Sequence, residues 1–179
     1  MKMDQLSKEF AIYEESFSSF RKQHSLPDEW FEIPDHVAVK CADGRNYAQL
    51  CNELSEMTVN GVWEIELDGR FLGSARLHEP IHLLDYNFSW IEVMQPRPGK
   101  ETDFDFVEHT EFLFADFAAV QAKLEQIEIE YELQENPGHK WINIVIDDMG
   151  REIKINNKVL ADVVVWEREE GNLKKRVEK

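Results

Sequence analysis

One order of elements, strand–helix–strand–strand–strand, is written twice along this chain. In the first copy, residues 36–41 alternate polar and apolar after Pro34-Asp35, as a strand does. Tyr47, Leu50, Cys51 and Leu54 then recur at helical spacing, and Asn60-Gly61 marks a turn. Strands over about 62–67 and 70–78 flank Asp68-Gly69, a strong hairpin signal. Pro80 ends the second of these, and residues 86–93 read as a fourth strand. The second copy repeats the order: a strand over 106–114, a helix lined by Phe117, Val120, Leu124 and Ile127, a short strand over 129–133, a turn at Asn136-Pro137-Gly138, and strands over 141–147 and 152–155. A four-stranded sheet with helices on one face leaves open edges and an unfilled concave side. Two copies side by side predict an α+β fold, an open, curved, eight-stranded sheet around a cavity.

The remaining segments frame the repeat. Leu6, Phe10, Tyr13, Phe17 and Phe20 predict a helix over 4–25, stopped by Pro27. The run Pro96-Arg97-Pro98-Gly99-Lys100 cannot continue a strand. The expected division is therefore a helical extension over 1–33, modules over 34–95 and 105–157, a linker over 96–104, and a C-terminal helix and tail over 158–179. That last helix is expected over about 161–170, with basic Lys174, Lys175 and Arg176 beyond it. The whole forms one structural domain.

Composition narrows the function. The 179 residues are 42% hydrophobic, enough for a sizeable core. A net charge of −16, from 36 acidic and 20 basic residues, repels phosphate backbones and anionic lipid. Nucleic acid and membrane are therefore not expected partners, and a small molecule is. Cys41 and Cys51 form no disulfide framework or zinc motif and read as core residues. The start, MKMDQLSKEF, carries no apolar leader core, and no apolar run approaches a membrane span. A cytoplasmic location is expected. No Ser-His-Asp arrangement, paired Cys–His or phosphate-cradling glycine loop is visible, so no nucleotide cofactor is expected. Oligomeric state stays open.

Superposing the copies pairs their polar residues. His36 opens the first strand of one copy and His109 lies in the first strand of the other; Glu92 and Lys154 are counterparts in the fourth strands. About a pseudo-two-fold axis all four converge on the concave face. Alternation places Phe88, Trp90 and Glu92 together, and Val107, His109 and Glu111 opposite Glu108, Thr110 and Phe112. Arg76 and His78 share a strand face and are candidates for the cavity wall. For His36, Glu92 and His109 the bland alternative is a metal-free cluster in which Glu92 pairs with Lys154.

The same element order, with Asp35-His36, Leu77-His78-Glu79-Pro80, Ile91-Glu92, Glu108-His109 and Ile153-Lys154, resembles the vicinal-oxygen-chelate superfamily of glyoxalases, bleomycin-resistance proteins and extradiol dioxygenases. Within it the chain resembles the YecM-like proteins of bacteria. The resemblance spans about residues 34–157. It implies a divalent metal held by first and fourth strands of each module, here His36, Glu92 and His109, a set suited to iron, manganese, nickel or zinc. Such a metal acts as a Lewis acid on a small oxygenated substrate, and the implied reactions are isomerisation, lyase chemistry or dioxygenation. Lys154 departs from the pattern, since a protonated lysine offers no lone pair where a glutamate is usual. A non-catalytic protein binding a small anionic ligand beside Lys154 is the alternative.

Overall fold

The computed structural model describes residues 3–136 and 138–176, with side chains from Leu6 onward. Pro137, the middle of the expected turn, lies outside the described residues. The described strands form one nine-stranded sheet in the order β6-β7-β8-β5-β1-β4-β3-β2-β9. The first repeat supplies β1 (Pro34–Lys40), α2 (Gly44–Ser55), β2 (Trp63–Leu67), β3 (Arg70–Leu83) and β4 (Tyr86–Met94). The second supplies β5 (Phe106–Leu113), α3 (Phe117–Gln126), β6 (Glu132–Asn136), β7 (His139–Val145) and β8 (Glu152–Asn156). Helix α1 (Met3–His24) precedes them; α4 (Leu160–Glu169) and β9 (Lys174–Lys175) follow.

The repeat is visible in the pairing. β1 lies parallel to β4, and β5 lies parallel to β8. β1 and β5 meet antiparallel at the centre of the sheet, which is the pairing a two-fold axis between equivalent strands demands. Equivalent aspartates start the two crossover helices: Asp43 accepts from Asn46 N at 2.7 Å and Asp116 from Ala119 N at 3.0 Å. Each satisfies one of the N–H groups that a helix start leaves unpaired. Asp68 and Gly69 both take positive φ, 54° and 74°, as a two-residue hairpin turn between right-twisted strands requires.

Alternation along the strands makes two cores. Val37, Val39, Ile91, Val93, Ile153 and Ile155 point one way, into the main core with α1, α2 and α3. Trp63, Ile65 and Trp90 point the other way, onto the concave face, where Leu160 and Val164 of α4 and Leu173 cover them. The concave side is therefore partly roofed by the C-terminal helix. Phe88, expected beside Trp90 and Glu92, instead joins the main core with its ring 5.7 Å from that of Phe112. Both cysteines are buried free thiols.

Three segments differ from the sequence expectation. The ninth strand arises because Lys174 and Lys175 pair with Glu64 and Trp63 at the sheet edge, a contact too short to leave a sequence pattern. β3 runs on through Pro80 to Leu83, because its pairing with β4 lapses between Arg76 and Ile81 and no ladder hydrogen bond is asked of the proline. β6 begins at Glu132, three residues late, since Ile129 and Tyr131 pack on the core from the connection rather than from a strand. Among the described residues no helix is long and apolar enough to cross a membrane.

Candidate metal centre

Two irregularities in the central strand pair build the site. Pro34 faces Phe112 and His36 faces Glu111, so Asp35 is an extra residue on β1. Ala38 faces His109 and Val39 faces Val107, so Glu108 is an extra residue on β5. A bulge of this kind re-aims a side chain that strict alternation would send elsewhere. It overturns the expected grouping of Glu108 with Thr110 and Phe112: Glu108 lines the concave cavity, Val107 enters the main core, and Thr110 contacts Tyr13 of α1.

The two bulge residues are equivalent under the pseudo-two-fold, and both are carboxylates directly before a histidine. His36 Nδ1 lies 3.0 Å from Asp35 Oδ2, and His109 Nδ1 lies 3.3 Å from Glu108 Oε2. A carboxylate on Nδ1 fixes the ring and directs Nε2 into the site. Asp35 also accepts the backbone N–H of Leu160 through both oxygens, at 3.1 and 3.0 Å. Val159 gives α4 no side-chain cap, so a residue of β1 serves the start of the helix that roofs the cavity.

His36 and His109 are almost wholly buried, and Glu92 is half-buried. One nitrogen of each ring and one oxygen of Glu92 lie within 4.8 Å of one another. The register explains the third group, since Ala38, two residues beyond His36, pairs with Glu92 on β4. In the other half the equivalent pair is Glu111 and Lys154. Glu111, given no role from sequence, therefore holds the position of Ala38, and its Oε2 sits 3.7 Å from His36 Nε2 and 3.8 Å from His109 Nε2. The second repeat keeps a carboxylate at the axis but moves it from the fourth strand to the first. The Glu-His-x-Glu spacing at 108–111 was the available signal, masked by the bulge.

The charges divide the two imidazoles. Burial opposes a proton on His36, but the Glu111 carboxylate, the Asp35 hydrogen bond and the charge of Glu92 outweigh it and raise its pKa to about 9. Burial and the Lys154 ammonium lower that of His109 to about 3, against the pull of Glu108. His109 is thus held as a neutral imidazole, and among the described residues its buried Nε2 has no hydrogen-bond partner. Burial raises the pKa of Glu111 despite nearby His36 and Lys154. A site that attracts a proton to one ring and leaves a lone pair on the other suits a dication. The imidazole nitrogens, once His36 has given up its proton, and the carboxylate oxygens suit zinc, iron, manganese or nickel.

Lys154 and Glu92 form no ion pair among the described residues, although both line the cavity of about 500 Å³. The pairing expected of a metal-free cluster is not formed; Glu111 lies opposite Lys154 instead. Arg76 and His78 are not brought to the cavity. Both are exposed, in the stretch where β3 leaves β4 and turns to residues 57–59, with His78 N donating to Met57 O. His139 begins β7 and lines the cavity beside Trp141.

A model of one protein family, described as YecM protein, matches residues 2–163. No curated protein matches the sequence. Among solved structures, one described as Structural Genomics, Protein EC4020 is similar at a TM-score of 0.75, with 16% identity over 92% of each chain. A variant of Streptomyces coelicolor methylmalonyl-CoA epimerase in complex with 2-nitronate-propionyl-CoA is similar at 0.50, with 13% identity over 72% of this chain and 98% of that one. A second variant of that epimerase, with the same ligand, gives 0.50 and 15% identity over 73% and 96%.

Proposed function

The chain belongs to the YecM family, and we propose that it is a divalent-metal-dependent enzyme of the vicinal-oxygen-chelate type acting on a small oxygenated substrate, in the isomerase or lyase class. The observation that carries this reading is the buried, unpartnered Nε2 of His109, which lies with His36 and Glu92 in one group of potential ligand atoms. An orphaned buried acceptor is costly unless something occupies it. His36, Glu92 and His109 are the proposed ligands. A bound divalent ion supplies Lewis acidity toward a pair of neighbouring substrate oxygens. Asp35 and Glu108 hold the two rings in their tautomers. Glu111 Oε2, close to both rings, is the oxygen placed to take up and return a substrate proton. Trp90 and α4 exclude water from one side of the cavity. The similar epimerase structures hold 2-nitronate-propionyl-CoA, which is consistent with a small-molecule ligand here.

A second reading, sequestration of an anionic ligand without turnover, is favoured by Lys154, whose ammonium lines the cavity without an ion pair among the described residues. One experiment separates them. Protein purified without chelator is analysed for metal beside His36→Ala and His109→Ala. The enzyme reading expects about one divalent ion per chain in the parent and none in either variant; a metal-free parent sinks it.

A further inference from the structure

Acidic residues outnumber basic ones 36 to 20, so a cavity wall taken at random from this protein is acidic. The wall beside the histidines is not. A pocket of about 300 Å³ is lined by Lys40, Arg70, Arg97, Lys100 and Glu108, four cations to one anion. Arg70, Arg97 and Glu108 also line the larger cavity, so the two spaces adjoin. The cations arrive from separate segments: Lys40 ends β1, Arg70 opens β3, and Arg97 and Lys100 lie in the connection between the repeats.

Gathering like charges costs Coulomb energy, and the local anions offset only part of it. Lys40 Nζ lies 3.4 Å from Glu108 Oε1, and exposed Arg97 lies 3.1 Å from Asp68 Oδ2. Arg70 and Lys100 form no ion pair among the described residues, and the Nε of Arg70 is buried without a hydrogen-bond partner. Arg70 lines both spaces without a carboxylate partner among the described residues, and guanidinium geometry matches a carboxylate or phosphate.

Resting on the metal reading above, we propose that this basic pocket binds the remote anionic group, a carboxylate or phosphate, of the substrate whose neighbouring oxygens occupy the His36–Glu92–His109 site. The substrate class is then a small acid or phosphoester carrying paired oxygens at one end and an anion at the other. Glu108 joins the two halves, with Oε2 at His109 Nδ1 and Oε1 at Lys40 Nζ, so one side chain separates chelation from anion capture.

The test uses orthophosphate and malonate as probes, titrated calorimetrically into the folded chain at an ionic strength held constant with sodium chloride. Parent, Arg70→Met, an Arg97→Met/Lys100→Met double variant and His109→Ala are compared, with and without chelator. At least one probe is expected to saturate the parent. In chelator-treated protein, where no metal can take up the probe, Arg70→Met should weaken binding about tenfold or more, as loss of a charged hydrogen bond does, while His109→Ala leaves it within about twofold. If Arg70→Met does not fold, the double variant, changed only at exposed positions, must show the loss. Tighter binding of phosphate assigns a phosphoester, and tighter binding of malonate a carboxylate. A parent that binds neither probe above chloride, or variants that bind as the parent does, overturns the proposal. Should manganese fail to bind the parent while Arg70-dependent anion binding persists, the metal reading falls and the anion subsite stands.

Discussion

The imidazoles of His36 and His109 meet edge to face across the pseudo-two-fold axis, with ring centroids 5.6 Å apart and planes inclined at 75°. Their strands are equivalent, their bulges are equivalent, and a carboxylate precedes each of them. The rings differ in what surrounds Nε2, and that difference is where the site can be tested.

Asp35 serves His36 and the start of α4 together. Asp35→Ala should cost about 1–3 kcal/mol, because the buried N–H of Leu160 loses its acceptor. It should also weaken metal binding roughly 10- to 100-fold, as loss of a histidine's carboxylate partner does. Glu108→Gln should weaken metal binding comparably with a smaller stability loss, since Glu108 accepts no backbone N–H among the bonds of the described residues. Denaturant unfolding and metal titration of both variants read the two effects separately.

Glu92 and Lys154 should behave as independent residues. Since no ion pair joins them among the described residues, Lys154→Met should not rescue Glu92→Gln. Chelator should lower the unfolding midpoint of the parent, which loses a ligand bound only by the native state, and leave Glu92→Gln unchanged. Recovery in the double variant, with a parent indifferent to chelator, would overturn the metal reading in favour of a structural cluster.

Glu111 is expected to divide binding from chemistry. Glu111→Gln should retain its divalent ion with about tenfold weaker affinity, as for loss of an outer carboxylate. His36→Ala should retain none. Metal content after dialysis decides the case: a Glu111→Gln protein as empty as His36→Ala makes Glu111 a ligand.

Tyr13 reaches from α1 to the strand that carries His109. Its hydroxyl donates to Glu152 O at 2.6 Å and accepts from Thr110 N at 3.0 Å. Tyr13→Phe should cost about 1–3 kcal/mol by orphaning buried backbone groups, with the loss visible in denaturant midpoints.

Acid sensitivity should centre partly on Asp147. Burial works to raise its pKa, but hydrogen bonds from Ser16 and from the Arg151 backbone and side chain, with the charge of Arg151, hold it below the ordinary carboxylate value. A depressed folded pKa contributes stability above the unfolded value, and that contribution is lost as pH falls through the folded one. Asp147→Asn should therefore lower stability at neutral pH and flatten the decline below about pH 4. Unfolding midpoints of both proteins across the acid range measure the slope.

The fold was legible because repeated order and turn chemistry are local: Asn60-Gly61 and Asp68-Gly69 each act within a few residues. His36 and His109 were legible as one equivalent pair and Glu92 as half of another, and the structure brings these three side chains together. Glu108 and Glu111 were not assigned, because period-two alternation fails at a bulge and the bulge depends on the partner strand. Arg76 and His78 were misplaced for a related reason, since β3 changes neighbours after Arg76. The pairing of Lys174 and Lys175 with β2 joins positions more than a hundred residues apart, beyond any local pattern.

The exchange of Ala38 for Glu111, with Glu92 for Lys154, leaves a backbone that is nearly two-fold around a cavity that is not. A ligand rotated by half a turn about the axis would meet an ammonium where it had met a carboxylate, and a carboxylate where it had met a methyl group. The chamber therefore has a direction that its frame lacks, and an unsymmetrical ligand cannot sit equally well in its two end-for-end orientations.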